Sequence, residues 1–163
     1  AYEPMLLMVA LGFYLASGSF SVGDILTGAH MNILRMPGIF FGLCFILLIK
    51  FRKSPFDISM SHEAHQELIG GLKTEISGRT LAVVELAHWY ENVFLFGLVL
   101  LFFASDTWWT WLLGLAICEI VFFAEILIDN CCARIKWERM FASTWLVGLM
   151  AGFLNIAFLM YFK

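Results

Sequence analysis

The chain has 163 residues, of which 61% are hydrophobic, 17% aromatic and only 14% charged, well below the roughly 25% charged content of ordinary soluble domains. Its mean hydropathy of +0.86 points to a lipid environment. A net charge of −3 supplies no basic footprint, so nucleic acid is not an expected partner.

Ala1, Tyr2 and Glu3 lead directly into an apolar run, with no basic n-region or cleavage site before it. An acid at that place is unusual for a native amino terminus and is expected of a chain cut from a longer one. Pro4 suits a first helical turn, and the run from Met5 to about Val22 is long enough to cross a hydrocarbon core of ~30 Å at 1.5 Å per residue. The small, polar Ser17 to Ser21 stretch marks either a close helix contact or the fraying end of this first span. Val22 to Arg35, with Asp24, His30 and Asn32, is expected to be a loop with a short helix.

A second span is expected from Asn32 or Met36 to Ile49, with Lys50, Arg52 and Lys53 anchoring its end. The third covers Arg79 to Ala104. The fourth begins at a tryptophan belt, Trp108, Trp109 and Trp111, and reaches Asn130, and the fifth covers Phe141 to Tyr161. The expectation is an all-α integral membrane protein with about five transmembrane helices forming one domain over 1–163, interrupted by a long acidic loop over 51–78. Lys50, Arg52, Lys53, Lys73 and Arg79 flank or occupy that loop, and Arg134, Lys136 and Arg139 fall in the loop over 131–140. Together they make eight of the ten basic residues, which directs both loops to the cytoplasmic side.

Ionisable groups inside the spans are the unusual feature, because each is costly there and calls for a partner, a wet cavity or a function. On the third span Glu85, His88 and Asn92 share one helical face, and Glu91 lies about 120° round from it. On the fourth, Glu119, Glu125 and Asp129 fall within an arc of about 120°. Like charges so close in a low dielectric are expected to leave at least one carboxyl protonated at neutral pH, a state suited to carrying protons. Intramembrane ion pairs that only hold helices in register are the competing account.

The four cysteines, Cys44, Cys118, Cys131 and Cys132, sit in or beside apolar runs with no CxxC, so they are taken as packing residues. No nickel or iron–sulfur site is expected within the chain, since such sites need converging thiolates. His62 and His65 in SHEAHQE are spaced by three rather than the four of HExxH, so no metal site is expected there either.

The loop carries the most specific pattern. Pro55, Phe56 and Asp57 are followed by Glu63, Glu67 and Leu68, then Gly71, then Glu75, Ser77 and Gly78 entering the third span. This order resembles the signature loop of the membrane anchor subunit that respiratory complex I, as its H subunit, shares with the energy-converting [NiFe] hydrogenases. Tyr2 and Glu3 are similar to the start of a spanning helix in that family, and RIKWERM, Arg134 to Met140, to its last basic loop. Departures are about three extra residues after Asp57, His65 where an acid is usual, and Ile76 in place of tyrosine. The histidine-bearing version, SHEAHQEL followed by VELAHWYEN, looks most like the B subunit of Ech-type hydrogenases.

The resemblance implies the C-terminal part of an eight-helix fold, with the amino-terminal spans absent from this chain. It implies a non-redox subunit in the cytoplasmic membrane of a prokaryote, not catalytic alone and binding no cofactor itself. Such a subunit would couple electron transfer between ferredoxin and protons to movement of H+ or Na+. Its expected partners are hydrogenase large and small subunits, an iron–sulfur subunit that with them holds the [NiFe] and iron–sulfur centres, and an antiporter-like membrane subunit. The residues expected to form the coupling pathway are Glu3, Asp57, Glu63, Glu67, Glu75, Glu85, His88, Glu119, Glu125 and Asp129, with Arg134 and Arg139 in the basic loop, and Gly70, Gly71 and Gly78 as hinges. Alternatives are the H subunit of a quinone-reducing complex I-type NADH dehydrogenase, and an unrelated transporter or structural membrane protein.

Overall fold

A computed structural model describes residues 3–28, 31–51, 76–133 and 135–161. Helices α1 (Glu3–Ser17), α2 (Val22–Leu26), α3 (Pro37–Lys50), α4 (Gly78–Phe103), α5 (Trp108–Cys131), α6 (Trp137–Val147) and α7 (Leu154–Tyr161) follow one another, with no strand among the described residues. A 3-10 turn over Asn32–Leu34 precedes α3, and a π-helical turn over Gly148–Phe153 joins α6 to α7. The rod from Glu138 to Tyr161, together with α4 and α5, is long and apolar enough to cross a bilayer, and α1 and α3 are shorter apolar helices. The protein is an all-α membrane protein.

The first span ends earlier than the apolar run suggests. Gly18 adopts a φ of 80°, the left-handed conformation that closes a helix and that side-chain-bearing residues rarely accept. Its N–H donates to the Tyr14 carbonyl, and the Ser17 hydroxyl donates to Phe13 O and Ser19 O, so the last carbonyls of α1 are occupied. Arg35 adds a bond from its guanidinium to Ala16 O at 3.1 Å, placing positive charge at the negative end of the helix. The last span starts earlier than expected, at Trp137 rather than Phe141.

Pro37 occupies the first turn of α3, where its missing N–H costs no hydrogen bond. Helix α3 is the central element, touching α1, α4 and the whole α6–α7 rod. Its packing with α1 and the rod depends on small residues. Gly38 and Gly42 stand one turn apart on α3, as Gly148 and Gly152 do on the rod, a spacing that lets membrane helices approach closely. A β-carbon on Gly38 would lie 2.8 Å from the Ala151 carbonyl oxygen. One on Gly42 would meet the end of the Met5 side chain, and one on Gly152 would meet Met8 and Met5, so α1 inserts its methionines where the glycines leave room. Met5, Val9, Phe13, Ile39, Leu43 and Leu47 are buried in this contact.

At the other side of α3, Phe40 meets Phe102 and Phe103 with ring centroids 5.3 and 5.2 Å apart, and Phe13 of α1 reaches Phe102 at 4.8 Å. These rings join α1, α3 and α4 at one end of the bundle. The Asn32 amide secures the same end by donating to Leu101 O at 3.3 Å. Helix α5 folds back on α4 through a short turn in which Ser105 N donates to Thr110 Oγ1 at 3.0 Å and Trp111 Nε1 to Ser105 O at 3.1 Å. Trp108 and Trp109 stack at 4.0 Å and are exposed, as an interfacial belt requires.

Candidate functional site

The buried residues of α4 are Leu95, Val99, Phe102 and Phe103, all in its second half. Glu85 and His88 in its first half and Glu91 at its middle are half-buried, and Glu91 meets the end of α3. There Lys50 Nζ forms an ion pair with Glu91 Oε1, and His88 Nδ1 lies 3.9 Å from Glu91 Oε2 across one turn of α4. Phe51 stacks on Phe96 at 5.3 Å just beyond, holding the end of α3 against α4. Lys50, expected to anchor the end of the second span, is therefore only 16% exposed and bound to α4. Glu91, placed away from the polar face by periodicity, is the hub of this cluster, and Asn92 is exposed.

The acids of α5 separate. Glu125 is only 3% exposed and lies within electrostatic reach of Cys44 on α3. Asp129, one turn on, is half-buried. Glu119 is exposed and borders a cleft of about 530 Å³ between α4 and α5, with Phe96, Gly97 and Leu100 among its walls. The three carboxyls thus point to different surroundings although they fall within one arc. An acid at the centre of a spanning helix costs roughly 2.5 to 3.5 kcal/mol to insert, a cost that falls on Glu119, midway along α5.

Glu3, at the start of α1, is exposed, and Arg139 is exposed near the start of α6. Antiparallel packing puts Glu3, Lys50, the first half of α4, Asp129 and Arg139 at the same end of the bundle, from which the segment 52–75 connects α3 to α4. Asp57, Glu63, Glu67, Glu75 and Arg134 lie outside the described residues, as do His62, His65, Gly70 and Gly71. Gly78 enters α4 with a φ of 59°, a conformation suited to glycine at that turn. Among the described residues, no three His, Cys, Asp or Glu side chains come together as a metal would require.

A bundle of apolar helices with titratable groups gathered toward one end defines a multi-pass membrane protein that keeps charge inside its spans. The family model described as NADH dehydrogenase matches residues 1–160, and the chain belongs to that family. It is 26% identical over 164 residues to the H subunit of the NADH-quinone oxidoreductase of Syntrophotalea carbinolica, covering 96% of this chain and 48% of that protein. It is 28% identical to an H subunit of the NADH-quinone oxidoreductase of Cereibacter sphaeroides and to that of Thermomicrobium roseum, in each case over 96% of this chain and 50% of the relative. The chain thus spans about half the length of these curated relatives. No solved structure matches it significantly.

Proposed function

We propose that this chain is the membrane subunit of a complex I-type oxidoreductase, anchoring a peripheral redox arm and coupling electron transfer to ion movement across the bilayer. The observation that supports this best is the carboxyl of Glu125, 3% exposed within apolar spans and followed by Asp129, at the end of the bundle that also holds the Lys50, Glu91 and His88 cluster. A helix bundle built only for stability gains little from such groups. A set of them opening toward one end is suited to relaying charge.

Two electron acceptors fit this role. The relatives' names support a quinone-reducing enzyme in which this chain takes the place of the H subunit, and that reading takes precedence. The second, an Ech-type [NiFe] hydrogenase exchanging electrons between ferredoxin and protons, is favoured by His88 and by the histidine-bearing loop with His62 and His65. Under either, the redox centres belong to partner subunits, an antiporter-like membrane subunit carries the ion, H+ or Na+, and the loops over 51–78 and 131–140 face the cytoplasm of a prokaryote.

Mass spectrometry of the subunits that copurify with the chain separates the two. A quinone-reductase partner set with quinone-dependent turnover supports the first; large and small [NiFe] hydrogenase subunits support the second. A chain that purifies alone and transports a solute in liposomes overturns both. Within the intact complex, changing Glu125 and Asp129 together to Gln and Asn is expected to reduce ion pumping while electron transfer and subunit content persist. Loss of assembly with pumping retained per assembled complex would assign the pair to structure instead.

A further inference from the structure

At the end of the bundle away from Lys50 and Glu91, a small polar pocket of about 200 Å³ lies between the close of α1, helix α2 and the 3-10 turn. Ala16, Ser17, Asp24, Thr27, Asn32 and Arg35 line it. Asp24 and Arg35 carry opposite charges, yet neither forms an ion pair with the other or with any described residue. Arg35 uses one guanidinium N–H on Ala16 O at 3.1 Å, which leaves the rest of its donor fork. Asn32 is 7% exposed; its Nδ2 donates to Leu101 O, while its Oδ1 accepts no hydrogen bond among the described residues. Depth sets this pocket against lipid. Helices α1 and α3 have 15 and 14 residues, about 22 and 21 Å at 1.5 Å per residue, against a hydrocarbon core of ~30 Å. With Glu3 and Lys50 at one interface, both helices end short of the other, so the segment joining them lies where acyl chains meet headgroups. Phe20 and Leu34 in that segment are apolar and exposed, as suits this boundary, and charges at such a depth call for partners.

We propose that this pocket binds the headgroup of a phosphatidylethanolamine lipid, with its ammonium on Asp24 and Asn32 Oδ1 and its phosphate on Arg35. The two separate, opposite charges select a zwitterion, since a simple anion would meet Asp24 and a simple cation Arg35. A primary ammonium is selected over a quaternary one because it brings N–H donors for the carboxylate and for the buried amide oxygen. The guanidinium fork matches phosphate oxygens in shape as well as charge. A volume of about 200 Å³ is several times the ~30 Å³ that a water takes in the liquid, which leaves room for a phosphoethanolamine group. The bilayer itself supplies this occupant, and a lipid drawn inward there accommodates the shortness of α1 and α3. The inference needs only that the chain is inserted in a bilayer, whichever acceptor the redox arm serves.

The test puts the full complex in phosphatidylcholine nanodiscs with a trace of phosphatidylethanolamine that carries a photoreactive group beside its glycerol, and maps the labelled peptides. Labelling is expected within 14–28 or 31–36, and unlabelled phosphatidylethanolamine should displace it roughly fivefold more effectively than phosphatidylcholine or phosphatidylglycerol. Asp24→Asn keeps the bond from Arg35 to Ala16 O and should lower the labelling by roughly fivefold. Asp24→Lys should turn the preference toward phosphatidylglycerol, a gain that a misfolded variant does not produce. Labelling confined to other segments, as when another stretch of protein fills the pocket, overturns the proposal. So does equal displacement by phosphatidylcholine, or a preference that Asp24→Lys leaves unchanged. Displacement by water-soluble phosphoethanolamine at the same concentration would assign the pocket to a free solute and overturn the lipid as its occupant.

Discussion

Lys50 and Glu91 form their ion pair with side chains 16% and 40% exposed, so the pair is neither fully solvated nor fully buried. Solvent-exposed pairs contribute about 0 to 1 kcal/mol, whereas breaking a buried pair costs about 3 to 5 because one charge is left behind. Glu91→Gln is therefore expected to destabilise the protein by about 1 to 3 kcal/mol, because it leaves the more buried Lys50 charge without Glu91, and Lys50→Met by less, because the charge left behind, on Glu91, is the more exposed. The double variant should recover part of the loss, as the two groups are coupled. Denaturant or thermal unfolding in one detergent, over the four-protein cycle, measures this; strictly additive effects would show that the pair is incidental. His88 was legible as a polar residue of α4, but periodicity grouped it with Glu85 and Asn92, whereas it lies 3.9 Å from Glu91. Glu91 was not, because its partner comes from another helix, and spacing within one helix says nothing about what packs against a given face. The division of Glu119 from Glu125 was hidden for the same reason.

The helices themselves were more legible. Helix α4 begins and ends within a residue of the expected span, and so does α5, because Gly78, the polar Asp106–Thr107 turn and the tryptophan cluster interrupt long apolar runs. The early end of α1 depends on a backbone angle at Gly18 that hydropathy does not register. The π-helical turn over Gly148–Phe153 was equally hidden, since its sequence is apolar in any register. Just before it, the hydroxyls of Ser143 and Thr144 both donate to Met140 O, at 2.9 and 2.8 Å, a bonding mode that bends helices. Gly38 faces this turn, and a β-carbon there would be 2.8 Å from the Ala151 oxygen, a backbone atom that cannot rotate away. Gly38→Ala is thus expected to push α3 from the rod and cost about 1 to 3 kcal/mol, the range for overpacking. Gly97→Ala, where no atom lies within 4 Å, is its matched control. A melting temperature in detergent that falls equally for both would mean that loss of glycine in a helix, and not the close approach, sets the effect.

The orientation proposed for the whole chain across the bilayer rests on its basic residues, eight of ten of which fall in or beside the two loops over 51–78 and 131–140. Antiparallel packing puts the end of α3 and the starts of α4 and α6 together with the end of α5, so one measurement on either loop orients all the spans. Cys131 and Cys132 are exposed at the end of α5, whereas Cys44 and Cys118 are half-buried inside spans. A membrane-impermeant maleimide should therefore label the vicinal pair quickly in inside-out vesicles and leave it unlabelled in intact, right-side-out cells. Replacing both residues by serine should remove the fast reaction, while Cys44 and Cys118 react slowly at most, because a thiol facing packed helices or hydrocarbon rarely meets a charged reagent. Prompt labelling of the pair from the outside would invert every span. It would also turn the acidic loop away from the compartment in which a complex I-type redox arm operates, removing the physical basis for the coupling role proposed for Glu125 and Asp129.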